Sequence, residues 1–178
     1  CSKLKKVTLS SLSILENISN DAFIRCQSLE EINLPSTVIY IGSKAFYKCG
    51  SLKEIFIGDA VKEIGTNAFA GCARLTRLAF GKSLTTIHAS AFERTYSLSN
   101  VTFSGDGALE VIGDSAFRLS APTSITFPKN LKYIGLYAFA YNPSLESLVF
   151  RSSNITFGTG PFSECNKLKA KNVWYTTS

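Results

Sequence analysis

The chain has 178 residues, 45% of them hydrophobic and 18% charged, a balance that suits one folded array and excludes disorder, collagen and coiled coil. No apolar run approaches the roughly 20 residues a membrane-spanning helix needs, so no membrane span is expected, and the first residues do not show a basic n-region followed by an apolar h-region, as expected of a segment whose true start lies upstream of Cys1. The formal charge is +6, but six lysines (Lys3, Lys5, Lys6, Lys167, Lys169 and Lys171) lie at the two ends, leaving 13 basic and 13 acidic residues between positions 7 and 166. A nucleic-acid groove needs a continuous cationic track with stacking aromatics, so no nucleic-acid partner is expected.

Taken in chain order, residues 1–17 read as a partial first repeat, because Cys1, Leu4, Val7 and Leu9 have the spacing of Cys26, Leu29, Ile32 and Leu34. The dipeptide Ala-Phe then returns at Phe23, Phe46, Phe69, Phe92, Phe117 and Phe139, with Pro161-Phe162 as an altered seventh copy; the spacings are 23, 23, 23, 25, 22 and 23. With Phe as position zero, Ile stands at minus five, Gly at minus four, Cys at plus three and Leu at plus six in most copies.

Each copy predicts the same succession of elements. Apolar residues at plus nine and plus eleven, such as Ile55 and Ile57, predict a short strand with one buried face, turned at Pro35, Gly58, Gly81 or Pro128. A second apolar pair, such as Val61 and Ile64, predicts a second short strand, and the Gly at minus four permits a turn that a side chain would hinder. The stretch from Ser43 to Cys49 is too short for a free-standing helix and predicts one helical or 3₁₀ turn. One copy alone cannot bury its apolar residues; stacked copies can, each column packing on itself.

The pattern IGxxAFxxCxxLxxIxLP, best preserved in Ile41 to Ile57 and Ile64 to Phe80, resembles the BspA-like leucine-rich repeat of the Treponema pallidum type. The resemblance implies a right-handed, curved, β-rich leucine-rich-repeat solenoid covering residues 1–178 as a single array of about seven repeats. It also implies an extracellular or cell-surface location, since such repeats occur in secreted or surface-anchored proteins, several of them adhesins. No catalytic residues come with the family.

Departures from the frame follow in order. His88 takes a Gly position, while Thr95, Ser120 and Asn142 replace Cys. The copy after Phe117 is one residue short, making Ser120 to Ser124 the expected irregularity. Residues 154–178 read as a degenerate last repeat and tail, with Asn154 at an apolar site and Lys171 at plus nine.

The remaining chemistry is sparse. Cysteines at one phase of a repeat read as a stacked column of small apolar thiols, with no His or acid at metal-ligand spacing. Cys1 reads either as a trimmed boundary or as a lipid-bearing first residue. With one histidine, no nucleophile elbow and no phosphate-cradling loop, the chain is expected to be no enzyme, with no cofactor and no metal. Three glycosylation sequons, at Asn17, Asn100 and Asn154, match chance occurrence.

If plus nine and plus eleven point inward, plus eight and plus ten point outward. Most of that ladder, expected on the concave side, is small and polar, but Phe56 stands among Glu54, Arg77, Glu31 and Asn100. An aromatic beside an arginine resembles a binding hot spot. The expected partner-binding residues are therefore Glu31, Asn33, Glu54, Phe56, Arg77, Asn100 and Thr102, holding a protein or glycoprotein of a host matrix or neighbouring cell. Two other readings compete: a structural spacer of a longer surface protein, and an intracellular protein-interaction scaffold. Apolar repeat faces at both ends make end-to-end self-association of the segment an expectation as well.

Overall fold

Each copy of the frame makes one turn of a coil, because its apolar positions find their burial only against the same positions of the next copy. The computed structural model, which describes residues 1–10 and 12–175, is a parallel β-solenoid of about seven turns with little helix. Residues 176–178 of the expected tail lie outside the described residues.

Two sets of strands alternate along the chain. The first set comprises β1 (Lys6–Val7), β3 (Glu31–Ile32), β5 (Glu54–Ile57), β7 (Arg77–Phe80), β9 (Asn100–Thr102), β11 (Ser124–Phe127), β13 (Ser147–Phe150) and β15 (Val173–Tyr175). The second comprises β2 (Asn17–Ile18), β4 (Tyr40–Ile41), β6 (Glu63–Ile64), β8 (Thr86–Ile87), β10 (Val111–Ile112), β12 (Tyr133–Ile134) and β14 (Thr156–Phe157). The second set forms one continuous seven-stranded parallel sheet, in which Ile41 faces Ile64 and Ile112 faces Ile134. The first set is broken twice, into β1-β3, β5-β7-β9 and β11-β13-β15. The outward ladder is thus carried on three short sheets. The second break coincides with the short copy around Ser120 to Ser124, where the turn that closes the other copies is lost.

Between the sheets lies a core of ladders. The rings of Phe23, Phe46, Phe69, Phe92, Phe117, Phe139 and Phe162 stack one on the next at 5.2, 4.9, 5.1, 5.1, 5.0 and 5.7 Å. A second column, Phe80, Phe103, Phe127, Phe150 and Tyr175, stacks at 5.0, 6.2, 4.8 and 5.2 Å. Its widest step, Phe103 to Phe127, spans the second break in the first set of strands, so the rungs separate on that side, while the second sheet and the Phe92–Phe117–Phe139 stack stay closed there.

Two expectations about the backbone are revised. The stretch around each Ala-Phe is a chain of tight turns rather than a helical turn, with left-handed residues two before and two after the Phe: Lys44 and Lys48 at φ 56° and 58°, Tyr137 and Tyr141 at 52° and 60°. Helical propensity loses because every second amide here bonds to the neighbouring rung, as Phe46 N–H does to the Ala68 carbonyl at 2.7 Å. The glycines at minus four, expected to permit a turn that a side chain would hinder, have no left-handed φ, and the hindrance comes from the neighbouring rung. They let rungs approach closely: a Cβ on Gly65 would lie 2.6 Å from Ser43 N and 2.8 Å from Gly42 C. Gly65→Ala must push two rungs apart and is expected to lower stability by about 1–3 kcal/mol, as overpacking does; a urea titration measures it.

Cys26, Cys49, Cys72 and Cys165 form the buried, unbridged column that their common phase predicts. Their column is more than an apolar filler, because the Sγ–H groups of Cys49, Cys72 and Cys165 donate to the carbonyls of Phe23, Phe46 and Phe139, each at 3.1 Å. No disulfide forms, and burial pushes the Cys49 thiol up to about 12 and the Cys72 thiol upward as well. The folded chain therefore holds the Cys49 proton more tightly than the unfolded chain, whose thiol titrates near 9.0. That stabilisation is complete below the unfolded value and is lost as pH climbs from about 9 toward 12. The urea midpoint is expected to fall over this window, and to fall less in Cys49→Thr.

Thr fits because Thr95 already occupies this column. Where Cys gives way to Thr95, Ser120 and Asn142 in successive rungs, the three side chains form one buried hydrogen-bonded run. Thr95 Oγ1 donates to the Phe92 carbonyl at 2.8 Å and lies 2.9 Å from Ser120 Oγ. Ser120 N–H donates to Asn142 Oδ1, and Asn142 Nδ2 donates to the carbonyls of Phe117 and Phe139 at 3.0 and 2.9 Å. Among the described residues no buried side-chain polar atom lacks a partner.

Candidate functional site

The alternation of the first set of strands fixes which side chains meet solvent. In β5 the run Glu54, Ile55, Phe56, Ile57 is exposed, buried, exposed, buried. Register carries this across the rungs, Glu54 beside Arg77 and Asn100, Phe56 beside Ala79 and Thr102. All seven sequence-predicted residues are exposed and line one depression of about 890 Å³ over the break between β3 and β5.

Their chemical states differ. Glu31 is tied to Lys6 at 2.7 Å, and Lys53 pairs with Glu30 at 2.7 Å on the rim, where that lysine's hydrogen bond holds the Glu30 carboxyl below its ordinary range. Asn33 has its amide engaged, since Nδ2 donates to the Leu9 carbonyl at 2.8 Å and Oδ1 accepts from Leu9 N–H at 3.0 Å. It staples the first loop to the second rung, a structural task the spacing did not reveal. Thr102 Oγ1 donates to Asn100 Oδ1 at 3.0 Å, leaving the Asn100 amide nitrogen as a donor to solvent.

Glu54 and Arg77 are the unsatisfied pair. They are register neighbours, yet neither makes an ion pair among the described residues. Between them and Asn33 stands Phe56, 68% exposed. A large ring in water flanked by one free carboxylate and one free guanidinium is equipped to hold a ligand offering an apolar face and polar groups of either sign.

A second, smaller depression of about 290 Å³ lies over the break between β9 and β11. It shares Asn100 and Thr102 with the first and adds Ser99, Thr123, Ser124 and Thr126.

One residue of this face was missed by the sequence frame. The frame puts Lys171 at the inward plus-nine position, but the structure puts Val173 there, in register with Leu148, because the 3₁₀ turn Ala170–Asn172 absorbs two extra residues. Trp174 therefore falls in the outward row beside Val149, 47% exposed, while Tyr175, in register with Phe150, stacks on its ring and stays exposed. The signal was the apolar run Val-Trp-Tyr itself, two residues late. The turn face holds a further set that the helical reading hid: Tyr137 and Tyr141 are exposed, and Arg118 lies 4.9 Å from the Tyr141 ring while bonding Glu93 at 2.9 Å.

Among the described residues, no helix is long and apolar enough to cross a membrane, and no three metal-ligating side chains cluster.

The comparisons with known proteins agree with this architecture. A leucine-rich repeat protein of T. pallidum, solved by crystallography, is 30% identical with a TM-score of 0.85, over 94% of this chain and 79% of that one. The pneumococcal vaccine antigen PcpA is 22% identical with a TM-score of 0.61; this chain is covered to 99% and spans about half, 52%, of the antigen. A leucine rich cell surface protein of Faecalibacterium prausnitzii is 20% identical with a TM-score of 0.53, over 98% of this chain and 70% of that one. A comparison with curated protein sequences gives no match. The family described as BspA type Leucine rich repeat region matches residues 1–118 and 106–177, in six copies. With its frame, its stacked rungs and this match in agreement, the chain belongs to the BspA-type leucine-rich repeat family.

Proposed function

We propose that this chain is a non-catalytic recognition module, extracellular or at a cell surface, that holds a protein or glycoprotein partner through the outward strand face centred on Phe56. The observation that carries the reading is the exposed Phe56 ring set beside Glu54 and Arg77, two charges without partners in one depression. Exposed aromatics beside arginine supply much of the energy at protein interfaces. The family, and two structural neighbours described as a leucine rich cell surface protein and a pneumococcal vaccine antigen, support the same class of function.

The test is equilibrium binding of the purified chain to a panel of matrix glycoproteins, beside the double variant Phe56→Ala, Arg77→Glu. Both side chains are exposed, so the variant is expected to keep its melting midpoint and to lose about 2 kcal/mol or more of binding, the range of a hot spot. Retained binding in the folded variant would remove this face from the mechanism. Absence of binding to every panel member would favour the spacer reading, which the small, polar character of Asn100, Thr102, Ser124 and Thr126 also suits.

A further inference from the structure

The outward row through plus ten runs, rung by rung, Phe56, Ala79, Thr102, Thr126, Val149, Trp174. Two exposed aromatic rings bracket a stretch of small side chains, five rungs apart, or about 24 Å at the ordinary strand spacing. The parallel row through plus eight supplies Arg77, Asn100, Ser124 and Ser147 over the same stretch. Where the two rows cross the break between β9 and β11, the exposed side chains of the lining are Ser99, Asn100, Thr102, Thr123, Ser124 and Thr126, hydroxyls and an amide without a charge, over the buried Val101 and Phe103.

This chemistry selects among partners. A protein hot spot needs an apolar, desolvated centre, and the middle of this row has none. Hydroxyl and amide side chains donate and accept in the same place, as the hydroxyls of a sugar do. Flat rings at each end offer the apolar face on which a pyranose ring stacks, with Arg77 and Glu54 beside the first ring as a guanidinium and a carboxylate without partners.

Resting on the recognition reading above, we propose that the ligand of this face is a neutral oligosaccharide, lying across the rungs from Phe56 to Trp174 with its hydroxyls in the groove around Thr102 and Thr126. The glycan is then the part of a glycoprotein partner that the chain reads. Neutrality follows from the groove: beyond Arg77 the two rows hold no charged side chain up to Trp174.

Trp174 is the single tryptophan of the chain, so its fluorescence reports occupancy at one end of the track. The experiment titrates the whole chain with neutral hexose and N-acetylhexosamine oligosaccharides of increasing length, by calorimetry and by Trp174 emission. Expected are affinity that rises with length until both rings are spanned, a Trp174 signal only with the longer members, and little change with salt. Phe56→Ala and Trp174→Ala are each expected to weaken binding about tenfold. Thr126→Val, which removes one exposed hydroxyl, is expected to weaken it several-fold with an unchanged melting midpoint.

A glycoprotein bound equally well before and after enzymatic deglycosylation, with loss in Phe56→Ala, would overturn the glycan proposal and leave the recognition reading standing. Oligosaccharide binding unaffected by Phe56→Ala and Trp174→Ala would overturn this track. Failure of every oligosaccharide and every glycoprotein to bind would overturn both.

Discussion

Phe92→Ala is expected to cost about 3–5 kcal/mol, the range for removing a buried aromatic from a core that cannot collapse to fill the space. Phe92 is fully buried and stacks between Phe69 and Phe117, at 5.1 Å from each. It also meets Phe80 edge-on at 5.7 Å, so it joins the two aromatic columns. Its removal leaves a void against three rings at mid-array. In a stacked array each rung is held by its neighbours, and weakening one interior interface uncouples the segments on either side. The urea transition of the variant should therefore broaden as well as move. Phe23→Ala is the control, because Phe23 is only partly buried and stacks on one ring of its column. Equal losses for the two variants would mean that the column is not the core.

Asn142→Ala is expected to be nearly as damaging by a different mechanism. The side chain is fully buried and satisfies the Phe117 and Phe139 carbonyls and the Ser120 amide together. Phe139 keeps a second donor in the Cys165 thiol, so truncation strands the Phe117 carbonyl and the Ser120 N–H, at about 1–3 kcal/mol for each buried group left unpaired. Asn142→Cys should recover part of the loss, because a thiol in this column donates to the Phe carbonyl one rung back, as Cys72 does to Phe46. Asn142→Asp should be worse than Ala, since a carboxylate has nothing to donate and its charge would be buried. Denaturant midpoints in the order Asn, Cys, Ala, Asp check the assignment; Ala matching Asn would show that the run is dispensable.

Both predictions depend on one feature of repeat proteins. A column position is tested in every rung, so a departure such as Asn142 stands out in the sequence, while the reason for it becomes visible only when the rung above and the rung below are in place.

The sequence by itself determined the class of fold, the phase of every strand from β3 to β13 and the inward or outward sense of each side chain there. Burial of a period-two pattern leaves one register per copy, and copies of similar length can only stack in phase. It also determined which residues would share the outward face around Phe56. What only the tertiary structure decided depends on the distance between rungs or on slack within one of them. The glycines at minus four are conformationally ordinary and are required by the approach of the next backbone, which no single copy encodes. The turns around Ala-Phe are left-handed because their amides bond across rungs, against local helical preference. Asn33 looked like a free outward amide until Leu9, 24 residues earlier, was brought beside it. Trp174 reached the outward row because a 3₁₀ turn absorbed two residues that a fixed frame had counted as strand.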